Sequence, residues 1–221
     1  MALRWLLALW IAAALLGGFL WAPLAEGLGE TTRVLYFHIP SAWVMAVAFG
    51  WSFLHSVLYL ARRRIGHDDQ AAAAAELGIL FCVAAAVSGA IWARAKWGTW
   101  WNWDPRETTI FFLFLIYAAY LALRGAVEGE TRRARLSAVY SVIAFVTVPF
   151  LIFVVPRLYA TLHPSPILPQ RGDQGSIDPR IVVCFVAMLL GFTALFFWVT
   201  SLRVRLLRLE RRRLTQEPAA P

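Results

Sequence analysis

The chain has 221 residues, of which 60% are hydrophobic and only 15% charged, and its formal net charge is +8. Soluble globular domains carry about 25% charged residues, so this composition excludes an ordinary soluble fold and indicates one membrane domain. The two cysteines lie apart in apolar runs without a Cys-x-x-Cys motif, which argues against a disulfide scaffold, a thiol-exchange enzyme and covalent haem attachment.

Uncharged stretches divide the sequence into six segments that are long enough to cross a membrane, because a charged side chain at the bilayer centre is costly. The predicted spans cover residues 5–25, 40–61, 71–93, 108–123, 136–156 and 180–202. The first span could instead be a cleaved signal peptide, although its uncharged stretch is longer than usual for one. We therefore predict an all-α integral membrane protein, a single domain of residues 1–221 that forms a six-helix transmembrane bundle, with residues 203–221 as a basic cytoplasmic tail.

The loops alternate in charge along the chain. One face collects 14 of the 21 Lys and Arg residues, at Arg4, 62–64, 124–135 and 203–213. Because positively charged loops stay in the cytoplasm, both termini are predicted to be cytoplasmic, and the other three loops are predicted to lie outside. The net positive charge is thus a topology signal and implies no nucleic acid.

Two of the four histidines share the predicted outer side. His38 lies two residues before Pro40, which is expected to be the first residue of the second helix. His163 lies in the loop after the fifth span. His55 is about 25 Å deeper than His38 along the same helix, so it is given a structural role or at most a second site. His67 is interpreted as a solvated cytoplasmic loop residue.

The loop between spans three and four contains four tryptophans within seven residues, Trp97, Trp100, Trp101 and Trp103. An interfacial aromatic belt would explain tryptophans near a membrane surface, but a belt normally draws single residues from several helices. A flat aromatic platform for a planar ligand is the favoured interpretation, since Trp offers a large stacking area and a polar edge.

The residues that follow this loop form a helix start. Asp104 is expected to be the N-cap of the fourth helix, with Pro105 as the first residue and Glu107 in the first turn. The positive end of this helix would then point to the ligand side, where anionic groups are favoured. Asp178 and Pro179 repeat the pattern before the sixth span, where it is interpreted as purely structural.

Haem is the planar ligand that suits two histidines, an aromatic surface and nearby cations. Its iron accepts an imidazole on each face, and its propionates pair with basic side chains. The candidate partners of the propionates are Arg33, Arg94, Lys96, Arg106 and Arg157.

Residues 97–104 resemble the tryptophan-rich WWD signature of the haem-handling proteins of cytochrome c biogenesis. Residues 36–40, 162–163 and 176–179 resemble the flanking loops of the CcmC branch, haem exporter protein C. Residues 105–107 resemble the longer relatives CcmF and CcsA at least as much. Those relatives carry more than six spans, and this chain has no room for the additional ones. The resemblance implies that His38 and His163 are the axial ligands of haem b. The remaining expected haem contacts are Trp97, Trp100, Trp101, Trp103, Asp104 and Arg106.

The same resemblance implies a delivery component and not an enzyme. Such a protein holds haem b at the outer, periplasmic face of the bacterial plasma (inner) membrane and presents it to the haem chaperone CcmE. Its other partners would be CcmA, CcmB, CcmD and membrane lipid. Two alternatives are a b-type electron-transfer subunit, which would need histidines at matched depth in its helices, and a permease half of an ABC transporter, for which loops 62–70 and 124–135 are short.

Overall fold

The computed structural model describes residues 2–163 and 178–216, and within these ranges all regular secondary structure is helical. Helix α1 covers Ala2–Leu16 and continues as a π-helical turn, Gly17–Trp21, and a 3-10 turn, Gly29–Thr31, leads into α2, Thr32–Arg62. Helices α3, Ile65–Trp97, and α4, Pro105–Ala126, follow. Helix α5, Glu130–Pro149, continues through a π-helical turn, Phe150–Val154, into the short α6, Val155–Leu158, and α7 covers Pro179–Gln216.

Six helical segments in the described part of the chain are long and apolar enough to cross a membrane. The predicted all-α bundle of six spans is therefore confirmed. The helices are longer than the predicted spans: α2 has 31 residues and α3 has 33, which correspond to about 46 and 50 Å against a hydrocarbon core of about 30 Å. Hydropathy marks where the chain leaves lipid, whereas the backbone helix continues into the charged residues beyond.

The start of α2 differs from the prediction. Helix α2 begins at Thr32, so Pro40 lies inside the helix, and His38 is a helical residue as well. The Thr32 hydroxyl stabilises this early start, since it accepts a hydrogen bond from the Ala25 N–H at 3.0 Å and donates one to the Gly29 carbonyl at 2.7 Å. Pro40 removes one backbone donor, and the Ser41 hydroxyl donates to the Phe37 carbonyl one turn back at 2.8 Å.

Helices α2 and α3 form the centre of the bundle, and the other helices pack around them. One buried cluster joins this pair to α1 and α7 and includes Val44, Met188 and Phe196. A second cluster joins it to α4 and α5, where the rings of Phe49 and Tyr117 stack at 3.4 Å. The central pair thereby fixes the position of every helix that contributes to the site described below.

Ion pairs hold one end of the bundle together. Arg124 of α4 forms a bidentate pair with Asp68 of α3 at 2.7 and 2.9 Å, and Arg203 of α7 reaches Glu76 at 2.6 Å. The predicted tail continues α7 as a helix as far as Gln216. Residues 217–221 lie outside the described residues. The predicted loop 62–70 is reduced to a turn at Arg63, which has a left-handed backbone with φ 55°.

Candidate functional site

A cavity of about 160 Å³ lies between α2, α3, α4 and the chain that follows α5. Four of the predicted site residues line it, namely His38, Trp101, Arg106 and His163. Its inner wall is apolar and includes Met45, Leu113 and Ile152. The fold thus brings the two histidines, 125 positions apart in the sequence, to one cavity.

The surroundings of His38 fix which of its ring nitrogens carries the proton. Nδ1 lies 3.0 Å from the Ala85 carbonyl oxygen and 3.1 Å from the Ser88 hydroxyl, which itself donates to the Ala84 carbonyl at 2.6 Å. Both neighbours of Nδ1 therefore act as acceptors, so Nδ1 is the donor. The Nε2 lone pair of His38 is left available for a ligand.

His163 has the same tautomer for a different reason. Its Nδ1 donates to the Asp104 carboxylate at 2.8 Å, and the carboxylate can only accept. Burial lowers the pKa of His163 below its ordinary value, while the negative charge of Asp104 acts in the opposite direction. The imidazole is therefore neutral at pH 7, and its Nε2 lone pair is also available.

Asp104 is the N-cap of α4, as predicted, and it also holds the loop that carries His163. Its carboxylate accepts hydrogen bonds from the backbone N–H groups of Arg106 and Leu162, at 2.9 and 2.7 Å, and from the Thr161 hydroxyl. Burial would raise the pKa of this carboxyl, but these hydrogen bonds, together with the positive charge that His163 carries when protonated, bring it below its ordinary value. Asp104 is thus an ionised acceptor that positions His163.

The four tryptophans of the loop do not form one flat surface. Trp97 packs edge-on against the His163 ring at 5.1 Å, and Trp101 lines the cavity at 73° to Phe111 and 89° to Trp103. Trp100 and Trp103 are 59% and 65% exposed, and neither lines the cavity. The predicted single platform is therefore wrong: the loop turns two rings towards the site and two towards solvent.

Of the five predicted cationic partners, only Arg106 lines the cavity. Arg33 pairs with Glu30, and Lys96 donates to the Gly27 carbonyl, each at 2.8 Å. Arg94 and Arg157 donate to backbone carbonyls within one turn of themselves. Arg106 is the cation that could contact an anionic group of a ligand in this cavity.

Several residues that shape the site were not predicted from the sequence. Trp92 is 6% exposed and stacks on the His163 ring with centroids 6.0 Å apart. Gly89 faces His38, and a Cβ atom there would lie 2.9 Å from its Cε1 atom. Glu107 lines the cavity and accepts a hydrogen bond from the Asn102 N–H in the tryptophan loop. The sequence offered one indication that Trp92 belongs to the site: it lies five residues before Trp97, on the helix that leads to the tryptophan loop.

The other two histidines contact each other. His55 Nδ1 lies 3.2 Å from His67 Nδ1, and the His55 ring packs against Trp51. His67 belongs to the first turns of α3 and is half-buried, so its interpretation as a solvated loop residue is wrong. The separation of His55 from the cavity is consistent with the prediction, because α2 continues unbroken between positions 38 and 55.

Chemically, the cavity presents two neutral imidazoles whose Nε2 atoms have no hydrogen-bond partner among the described residues, together with apolar walls, the Arg106 guanidinium and the Glu107 carboxylate. Imidazoles of this kind bind transition-metal ions, and a carboxylate or carbonyl that accepts a hydrogen bond from Nδ1 is the usual support for such a ligand. These residues fit a haem, whose iron takes axial histidines and whose ring needs an apolar surface.

Comparison with known proteins identifies relatives along the whole chain. The family model described as Heme exporter protein C matches residues 1–219. A Heme exporter protein C of Bradyrhizobium diazoefficiens is 34% identical over 168 residues, 76% of this chain and 63% of that protein. One from Rhodobacter capsulatus is 33% identical over 92% of this chain and 85% of its own length. A ccmC-like mitochondrial protein of cytochrome c biosynthesis in Marchantia polymorpha is 29% identical over 76% and 72% of the two chains.

Proposed function

Since this chain belongs to the family of Heme exporter protein C, we propose that it binds haem b between His38 and His163 and presents it to the haem chaperone CcmE. The family relationship supports a role in haem handling for cytochrome c biogenesis. The observation that carries the proposal is the shared cavity with two imidazoles whose tautomers leave both Nε2 atoms free. Haem supplies an iron that takes one imidazole on each face.

The two proposed ligands are held differently. The Nδ1–H of His163 donates to a carboxylate, which increases the basicity of Nε2, whereas the Nδ1–H of His38 donates to a neutral backbone carbonyl. His163 also packs against both Trp92 and Trp97. We expect His163 to be the stronger ligand and His38 to be the ligand that is released more readily.

Arg106 is proposed to hold a propionate. Its backbone N–H is bound by Asp104, which fixes the start of α4, and its exposed side chain lies at the edge of the cavity. Arg pairs with carboxylates in a fixed, bidentate geometry, so this contact would also orient the ring.

The size of the cavity favours a site that leaves part of a bound haem exposed for transfer over one that encloses the haem completely. Pockets that bury a drug-sized ligand measure about 300–1,000 Å³, whereas this cavity measures about 160 Å³. A haem held there would leave an edge accessible next to the tryptophan loop. Trp100 and Trp103, the exposed rings of that loop, are proposed as the docking surface for the chaperone, since exposed aromatics often carry binding energy at interfaces.

We place this site on the outer, periplasmic face of the bacterial inner membrane. The distribution of 14 of the 21 basic residues on the opposite loops supports that side. CcmA, CcmB and CcmD are proposed as further partners, and membrane lipid surrounds the exposed apolar faces. The role is one of binding and delivery, in which no bond-forming step is assigned to this chain.

Transfer of haem to purified apo-CcmE tests the proposal directly. The haem-loaded protein should give up its haem to the chaperone, and the Trp100→Ala/Trp103→Ala variant should load normally but transfer more slowly. Trp5→Ala is the matched control, because Trp5 is 64% exposed on α1 and outside the loop. A parent protein that retains all of its haem in the presence of apo-CcmE would contradict the proposed function.

A further inference from the structure

Glu107 is a buried carboxylate whose two oxygens have different surroundings. The side chain is in the first turn of α4, and the residue is 8% exposed. Oε2 accepts a hydrogen bond from the Asn102 N–H at 2.9 Å, whereas Oε1 is buried and has no hydrogen-bond partner among the residues that the structure describes. A buried carboxylate oxygen that lacks a donor is destabilising, so its retention calls for a compensating charge or donor.

The unpaired oxygen belongs to the wall of the proposed haem cavity. Glu107 lines that cavity together with His38, Arg106 and His163. Its negative charge acts on the His163 imidazole in the direction that favours a positive charge there, and the positive charge of Arg106 acts in the opposite direction. Asp104 also acts on His163, but its carboxylate is already satisfied by Arg106, Leu162, Thr161 and His163.

The environment of Glu107 makes its charge effective. Charges interact more strongly where water is excluded, and Glu107 is buried, whereas the Arg106 side chain is exposed to solvent. Glu107 is therefore a buried carboxylate of the cavity wall whose Oε1 has no hydrogen-bond donor among the described residues. The iron of a bis-histidine haem carries one more positive charge in the ferric state than in the ferrous state, and a nearby carboxylate stabilises the more positive state.

We propose that Glu107 makes this site selective for the oxidation state of its cargo, by holding ferric haem more tightly than ferrous haem. The inference rests on the proposed function, because it assumes that haem binds in this cavity. Burial, hydrogen bonding and charge around a haem set its reduction potential. The site would thus receive and present oxidised haem and would weaken its hold when the iron is reduced.

A purely structural role for Glu107 is distinguishable from this one. Its Oε2 anchors the tryptophan loop through Asn102, and a glutamine can keep that hydrogen bond because its carbonyl oxygen also accepts. Glu107→Gln therefore removes the charge and leaves the anchor in place. A structural role predicts a parent-like reduction potential in this variant.

The experiment is a spectroelectrochemical titration of the haem-loaded protein and its variants. We expect Glu107→Gln to shift the ferric/ferrous equilibrium about tenfold towards ferrous, a rise in potential of about 59 mV for one electron. Glu30→Gln is the matched control, since Glu30 is an exposed carboxylate that pairs with Arg33, and it should leave the potential unchanged. Arg106→Gln removes a charge of the opposite sign and should lower the potential.

The outcomes separate the two claims. A haem-loaded Glu107→Gln protein with the parent's potential would overturn the inference while the proposed function stands. A parent that takes up no haem would overturn both. If Glu107→Gln does not fold, the parent protein decides the matter, because equal affinities for ferric and ferrous haem would overturn the inference.

Discussion

Asp104 serves two purposes with one carboxylate. It caps α4 by accepting from the Arg106 N–H, and it fixes the tautomer of His163 by accepting from Nδ1. These purposes can be separated, because Asn is as good an N-cap as Asp but carries no charge. The capping role follows from the local sequence, whereas the contact with His163 joins residues 59 positions apart.

Asp104→Asn should retain α4 and weaken haem binding by about 10- to 100-fold, because the amide keeps one accepting oxygen but loses the negative charge behind His163 and the acceptor of the Leu162 N–H. The measurement is a titration of the purified protein with haem, followed by visible absorption. Asp178→Asn is the matched control, since Asp178 caps α7 by accepting from the Arg180 N–H and does not line the cavity. Equal haem affinity in Asp104→Asn and the parent would contradict this account of Asp104.

Gly89 is required where α3 passes the His38 ring. A methyl group at this position would lie 2.9 Å from His38 Cε1, closer than side chains normally approach. Gly89→Ala should therefore turn the imidazole away and weaken haem ligation, while the helix itself is favoured by the change.

Haem uptake by Gly89→Ala, compared with Gly125→Ala, measures this effect. A Cβ atom at Gly125 of α4 would meet nothing within 4 Å, so that variant should bind haem as the parent does. Parent-like ligation in Gly89→Ala would show that His38 has room to move without loss of function.

At the scale of elements, the sequence predicted those helix starts that depend on residues close together in the chain. The start of α4 at Asp104 and Pro105 follows from side chains that act on their own backbone, and it was predicted correctly. The start of α2 was not predicted correctly. Thr32 stabilises that start through contacts with the preceding turn, and Pro40 lies inside the helix and not at its first position. Six spans were predictable from hydropathy, whereas the helix ends beyond the lipid were not.

The same distinction applies to the candidate site. His38 and His163 were predictable because one lies next to a predicted outer loop and the other within one, on the same predicted side of the membrane. Ala85, Gly89 and Trp92 were not, since each acts across a helix contact and belongs to an apolar stretch that reads as an ordinary span.

The buried pair between α3 and α4 should contribute strongly to the stability of the bundle. The Asp68 side chain is 5% exposed and that of Arg124 15%, so Arg124→Gln would leave a buried charge without its partner. We expect a loss of about 3–5 kcal/mol in the free energy of unfolding.

Denaturant unfolding in detergent, followed by tryptophan fluorescence, measures the loss. Arg180→Gln, which breaks an exposed pair with Asp178, is the control and should have little effect. An Arg124→Gln protein as stable as the parent would show that Asp68 finds compensation elsewhere.

At the scale of the whole molecule, the two ends of the bundle differ in charge and in the features that they carry. Ion pairs join the helices at the basic end, while the cavity, the tryptophan loop and Asp104 lie at the other. The excess of basic residues predicts that the cavity end faces the periplasm.

Thiol labelling in intact cells tests this orientation. Thr99→Cys, in the exposed tryptophan loop, should react with a membrane-impermeant maleimide, and Glu128→Cys, in the turn after α4, should react only after the membrane is opened. The native Cys82 and Cys184 are buried and should add little background. The reverse labelling pattern would place the cavity on the cytoplasmic side.

His38 and His163 are proposed to bind one haem iron from opposite faces. The visible absorption spectrum of the haem-loaded protein, oxidised and reduced, tests it most directly when it is compared with the His38→Ala/His163→Ala variant. The parent should show a low-spin bis-histidine haem b, and the variant should show a high-spin haem or none. A parent that takes up no added haem, or a variant whose spectrum matches that of the parent, would contradict the claim.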